Sequence, residues 1–162
     1  MKKDVVDEIL DQWSAERPEL DTAGLDVVVR VMTLYRSFQR QAGEALAPMG
    51  LELFEYDVLS ALRRQGDPYA LAATALANET GLSTGAMTNR VDRLEARGLV
   101  KRRPDKADRR GVVVSLTAKG VKATDQAIRF RLEAADEALT GLTAAERTRL
   151  ASLLRKVMLT VA

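Results

Sequence analysis

Apolar residues recur at helical spacing through most of the chain. Val5, Val6, Ile9, Leu10 and Trp13 fall three and four apart, which gathers them on one face of a helix that ends before Arg17-Pro18. A longer stripe, Leu25, Val28, Val29, Met32, Tyr35 and Phe38, predicts a second helix over 22–47, broken by Pro48 and Gly50. Phe54, Val58, Ala61 and Leu62 predict a third over 54–65, stopped at Gly66-Asp67-Pro68. Residues 71–79 read as a short Ala-rich helix ended by Gly81. Ser83 is a favourable N-cap, and the helix it opens runs to Arg97 with Gly98 just beyond its end. Then LVKRR and GVVVSL read as two short strands around the polar stretch PDKADRR, a β-hairpin. Thr117 caps a helix reaching about residue 139, and Thr143 with Glu146 makes a capping box for a last helix over 144–159. The expected fold class is mainly α with a small β-hairpin wing.

Composition narrows the chemistry. At 162 residues the chain is expected to form one domain with a sizeable core. It holds no cysteine, so disulfides, thiolate metal sites and thiol redox sensing are excluded, and no histidine, the commonest general base and metal ligand. Neither a metal, a cofactor nor an enzymatic activity is expected. No apolar run approaches the roughly 20 residues that span a bilayer, and MKKDVVDEIL lacks the apolar stretch of a signal peptide; a cytoplasmic location is the expectation. The net charge is +2, but residues 83–110 carry nine Lys or Arg against four Asp or Glu. A local surplus of five on a near-neutral chain is the electrostatic footprint of a nucleic-acid binder, although a solvated basic loop has the same composition.

That basic segment begins inside GLSTGAMTNRVDRLEARGLVKRR, residues 81–103, which contains G-x-S-x-G at Gly81, Ser83 and Gly85. A nucleophilic serine on such a turn needs a preceding strand, a base in reach and an oxyanion hole. The preceding ALAATALANET is helix-forming and no histidine is available, so Ser83 reads as a helix cap. At 3.6 residues per turn, Met87, Val91 and Leu94 share an inward side, with Gly85, Ala86, Asn89 and Arg93 opposite. Small residues let a backbone approach closely, Asn and Arg read adenine and guanine edges, and a helix N-terminus favours phosphate. A short helix, a tight turn and this helix form a helix-turn-helix, and the hairpin adds a wing: a winged helix-turn-helix. The candidate DNA-contacting residues are Ser83, Thr84, Gly85, Thr88, Asn89, Arg93, Arg103, Arg109 and Arg110.

These residues resemble the MarR family of winged helix-turn-helix regulators over nearly the whole chain. The most specific part is GLV at 98–100 with RRPDKADRRGVVVSLTAKG at 102–120, where Asp108-x-Arg110, Leu116-Thr117 and Gly120 hold family positions. The resemblance implies that Arg110 probes the minor groove and that Asp108 orients it. It implies a dimeric MarR-like architecture: a single MarR-type domain over 1–162, with 1–47 and 117–162 as dimerisation helices and 53–116 as the DNA-binding lobe. The homodimer would bind a pseudo-palindromic site on double-stranded DNA, as a repressor released by a small molecule. A closer likeness is to the urate-responsive, PecS-like branch of that family, carried by the tryptophan in DQWSAERPELD and by EYDVLSALRRQGDPYALAATALA and LSTGAMTNRVDRLEARGLV. That branch implies a ligand set of Trp13, Asp57, Arg90 and Arg102, with a small anionic effector such as urate.

The helical wheel bears on this set separately. Arg90 lies beside Met87 and Leu94, and an arginine near a core needs an anionic partner; Asp57 likewise borders its helix's apolar stripe. The same residues fit plainer roles: Trp13 as dimer packing, Asp57 with Arg90 as a salt bridge, Arg102 on phosphate. Phenolic or other aromatic carboxylates are alternative effectors. Two other readings also remain: a ligand-independent architectural DNA binder, and a helical module whose wing binds acidic protein.

Overall fold

A computed structural model describes residues 2–105 and 111–161. The chain divides into two compact units, Met1–Gln41 and Ala42–Ala162. In the first, Asp4 caps α1 (Val5–Glu16): its carboxylate accepts from the Val6 and Asp7 amides while Asp7 accepts from the Asp4 amide. Arg30 on α2 (Ala23–Leu46) joins the two helices, pairing with Asp4 at 2.9 Å and Asp7 at 2.7 Å, and with Asp26 one turn back.

The second unit begins in the last turn of α2. A 3-10 turn, Ala47–Met49, ends on left-handed Gly50. It leads to α3 (Leu53–Arg64), β1 (Ala70–Ala72), α4 (Ala73–Glu79) and α5 (Thr84–Ala96). The hairpin β2 (Val100–Pro104) and β3 (Val112–Leu116) follows, then α6 (Ala118–Ala138) and α7 (Ala144–Val161). The sheet is antiparallel with order β1-β3-β2; Leu71 and Arg102 both stand opposite Val114. One core fills this unit, built from Val58, Leu59 and Leu62 of α3, Leu76 of α4, Met87, Val91 and Leu94 of α5, Val100 and Val114 of the hairpin, and Ala127 of α6.

Most predicted elements stand within a residue or two of their expected bounds. Two differ. Residues 70–72 form a strand and not the start of the Ala-rich helix, because pairing with β3 satisfies their backbone and outweighs alanine's helix preference. The buried face of α3 is also rotated from the expected stripe: Glu55 and Leu59 are buried with Val58 and Leu62, while Phe54 is only half-buried. The caps at Thr117 and Thr143 form as expected, Thr117 accepting from the Gly120 amide at 2.9 Å and Thr143 exchanging bonds with Glu146.

Where the hairpin passes into α6, the backbone of Gly120 packs against residue 99. A Cβ built at Gly120 would lie 1.9 Å from the Leu99 carbonyl oxygen, which only a shift of backbone can relieve. Gly120→Ala should therefore destabilise the fold by about 1–3 kcal/mol, the usual cost of overpacking, read as a lower urea midpoint at unchanged slope; a wild-type midpoint would refute the close approach.

Candidate nucleic-acid interface

The turn into α5 is built from local chemistry. Thr80 ends α4 by donating its hydroxyl to the Leu76 carbonyl at 2.8 Å, Gly81 takes φ +66°, and the Leu82 amide closes back on the Ala77 carbonyl at 2.9 Å. The left-handed step is open to glycine without the penalty a side chain would bring. Ser83 then caps α5, accepting from the Ala86 amide at 3.3 Å. Its place after a helix, as a cap, agrees with the sequence reading and leaves it no nucleophile's setting.

Met87, Val91 and Leu94 are buried; at roughly 1.5–3 kcal/mol per large apolar side chain, they fix which way α5 faces. Ser83, Thr84, Gly85, Thr88 and Asn89 are exposed together on the first turns of the opposite side. Nothing lies within 4 Å of a Cβ built at Gly85, so this edge is open to a partner. Thr88 donates its hydroxyl to the Thr84 carbonyl at 3.0 Å, which leaves the hydroxyl oxygen able to accept. Ala86, expected beside Asn89, is partly covered.

The arginines of this segment divide sharply. Arg93 turns back toward α3, 3.3 Å from Glu55 and 3.7 Å from Glu52, with its guanidinium over the Phe54 ring. Arg97 pairs with Glu55 at 3.1 Å and donates to the carbonyls of Gly50 and Met49. Glu55 itself is 1% exposed and closes the capping box of α3 by accepting from the Glu52 amide. Sequence reasoning missed this clamp, although a glutamate three and four residues ahead of Val58 and Leu59 marked it. Arg102 reaches the other edge of α5, bonding Asp92 at 2.5 Å, Glu95 at 3.0 Å and the Thr88 carbonyl at 3.1 Å. Arg103, by contrast, is exposed on β2 with no ion pair among the described residues. Asp108, Arg109 and Arg110 lie outside the described residues.

Of the four residues that the resemblance ties to a ligand, two come together. Arg90 stacks on Phe54 at 4.3 Å, so an aromatic face takes the place of the expected anionic partner. Asp57 is on the adjoining surface of α3 and forms no ion pair with Arg90. It touches solvent, yet the protein around it desolvates its carboxyl enough to raise the pKa above the ordinary 3.8, against the lowering pull of Arg131, Arg90 and Arg64. Arg102 is held on the far edge of α5. Trp13 is an exposed residue of α1, in the first unit.

An end-exposed recognition helix following a short helix and a tight turn, with a three-stranded sheet behind it, defines a winged helix-turn-helix DNA-binding protein. The profile of the MarR family matches residues 49–111. The chain is 31% identical over 152 residues to the transcriptional regulator PecS of Dickeya dadantii (strain 3937), covering 94% of this chain and 92% of that one. Among solved structures it resembles a cysteine-to-serine mutant of MarR from E. coli complexed with operator DNA, with TM-score 0.71, 27% identity and coverage of 90% and 96%. It also resembles BpsR of Bordetella bronchiseptica, whose DNA binding is described as regulated by 6-hydroxynicotinic acid, with TM-score 0.71, 28% identity and coverage of 82% and 92%. The chain belongs to the MarR family: it is a DNA-binding transcriptional regulator and not an enzyme.

Two outcomes follow from this geometry. Glu55→Gln should cost about 1–3 kcal/mol, because two arginines lose their charged acceptor, and should weaken DNA binding as α5 loosens; unchanged melting and affinity would remove the clamp from the mechanism. Ionised Asp57 is a burden in the folded chain, since its folded pKa is raised. Stability is therefore full below the ordinary carboxylate range and declines as pH rises through the raised value. Asp57→Asn should melt higher than wild type at pH 7, with the gap closing as pH falls below 4. A constant gap across that range would exclude the charge as its cause.

Proposed function

We propose that this regulator is a cytoplasmic homodimer that represses transcription from a pseudo-palindromic operator and is released by a small planar anion, with urate or a related purine as the leading candidate. The observation that carries the reading is the bare edge of α5, where Ser83, Thr84, Gly85, Thr88 and Asn89 face solvent together while the opposite side is locked into the core. Such an edge enters a major groove with its amides toward phosphate. Arg103 supplies backbone charge beside it, and Arg109 and Arg110, oriented by Asp108, serve as the wing's contact.

Support for a dimer is the uncovered apolar surface. α7 buries none of its described residues, and Leu150, Leu153, Leu154, Val157 and Met158 are exposed along it. Apolar faces of this extent mark interfaces. No helix among the described residues is long and apolar enough to cross a membrane. Two-fold symmetry places paired recognition helices about one helical turn apart on DNA. Support for an anionic effector is Arg90, a cation beside the recognition helix with no carboxylate partner among the described residues, and the likeness to a regulator controlled by an aromatic nitrogen heterocycle acid.

Fluorescence anisotropy with the regulator's own promoter region and with calf thymus DNA tests this. Promoter binding should exceed bulk binding by orders of magnitude, fall steeply with salt as several phosphates are neutralised, and be reversed by urate. Equal affinity for both duplexes would instead favour an architectural binder. Asn89→Ala should relax base preference and Arg110→Ala should weaken binding by about 1–3 kcal/mol, most at A·T-rich flanks. A uniform loss on every sequence would reassign Asn89 to phosphate, and wild-type affinity for Arg110→Ala would remove the wing.

A further inference from the structure

The second half of α5 and its C-cap carry three arginines, and none of them is free to meet a base. Arg90 lies over the Phe54 ring at 4.3 Å. Arg93 lies over the same ring beside the carboxylates of Glu55 and Glu52, and Arg97 is bonded to Glu55 and to two carbonyls. This takes from the reading edge the commonest specific contact in a major groove, an arginine fork on guanine O6 and N7. Of the other outward groups, Asp92 is engaged by Arg102 at 2.5 Å, and the Thr88 hydroxyl has given its proton to the Thr84 carbonyl. Ser83 and Thr84 stand at the N-terminal turn, the end of a helix that favours phosphate. What remains is the Asn89 carboxamide, exposed and without a hydrogen-bond partner among the described residues.

We propose that Asn89 reads the adenine of one A·T pair in each operator half-site, and that no side chain of α5 reads guanine. The inference rests on the operator reading above and names the base that its recognition helix selects. Asparagine is short, so it reaches a base edge only where the backbone comes close. Gly85, one turn earlier on the same edge, permits that approach, since nothing lies within 4 Å of a Cβ built there.

The chemistry selects the base. A carboxamide carries a donor and an acceptor side by side. Adenine shows the matching pair in the major groove: its N7 accepts from the Asn89 Nδ2, and its N6 amino group donates to Oδ1. Guanine shows N7 and O6, both acceptors, so Oδ1 would face O6 and one bond would become a repulsion. Thymine and cytosine each offer a single hydrogen-bonding group and can make only one of the two bonds. Arg93, one turn beyond Asn89, is the guanidinium that could compete for guanine from this edge. Glu55 and Glu52 hold it toward α3, so the anchor that orients the helix also removes its rival reader.

Selection from a random-sequence duplex library, followed by affinity measurements on the selected duplex, tests the assignment. Wild type should fix an A·T pair at one position of each half-site that Asn89→Ala leaves unfixed. Changing that pair to G·C in one half-site should weaken wild-type binding about five- to a hundredfold, the worth of one bidentate pair. Replacing its adenine by 7-deazaadenine, which lacks the N7 acceptor, should weaken wild type several-fold and leave Asn89→Ala unaffected. Asn89→Arg should select G·C at that position and keep the rest of the site, because a guanidinium fork fits O6 and N7. Arg93→Gln should bind more weakly as α5 loosens, yet select the same bases as wild type. An A·T preference that persists in Asn89→Ala, equal 7-deazaadenine costs in both proteins, or a G·C preference that disappears in Arg93→Gln overturns the assignment and leaves operator binding intact. A library from which wild type draws no common sequence overturns both.

Discussion

Everything the DNA-binding unit presents depends on a carboxylate with almost no access to water. Glu55 starts α3 by closing its capping box through Oε2, which also accepts from Arg97, while Oε1 lies in an ion pair with Arg93 of α5. Because Arg97 also donates to Met49 and Gly50, the end of the 3-10 turn, the first turn of α3 and the last turns of α5 meet at one charged junction. Lys119 adds to it by donating to the Arg97 carbonyl at 2.8 Å, which closes the C-terminus of α5 against α6. Burial of Met87, Val91 and Leu94 decides which face of α5 turns inward, but apolar packing alone is non-directional. The ion pairs supply the direction, and a recognition helix needs it because base edges are read over tenths of an ångström.

The same bonds change what the basic segment means. Counted along the sequence, residues 83–110 hold nine cations. Arg93, Arg97 and Arg102 are committed to acids within the protein, and Arg90 to an aromatic ring. Lys101 and Arg103 face solvent on the wing's first strand. Among the described residues, then, four of the six cations of this segment position the reading helix and two are left to meet phosphate. Sequence gives the sum of charges but no partner for any of them, so it had no means of separating these two uses.

That limit also describes what was legible beforehand. Helices with a strong 3.6-residue period and a cap, such as α2, α5, α6 and α7, could be placed to within a residue or two, since caps and stripes are local. β1 could not be, since Ala-Leu-Ala becomes a strand only through β3, some forty residues away. The α3 stripe holds at Val58, Ala61 and Leu62 but not at Phe54, for a related reason: hydrophobicity points Phe54 inward, whereas the buried position of that turn belongs to a glutamate whose arginine partners come from a different helix. Asn89 and its small neighbours were legible as an exposed edge because the wheel of a single helix determines it. Arg131 was invisible, because nothing in α6 alone shows that it meets Tyr56.

α3 carries both of the charged surfaces described above. Two residues apart on a helix lie nearly opposite one another, so Glu55 points into the junction that fixes α5 while Asp57 stands on the outer surface between Phe54 and Tyr56. One helix thus carries the anchor of the reading element on one side and a carboxylate with a raised pKa on the other. Any group that reorders the arginines around Asp57 acts on α5 through Arg90, and Arg90 shares the Phe54 ring with Arg93, which is itself held by Glu55. Because Arg90 is itself a residue of α5, a single contact, its stacking on Phe54, joins the outer surface of α3 to the recognition helix.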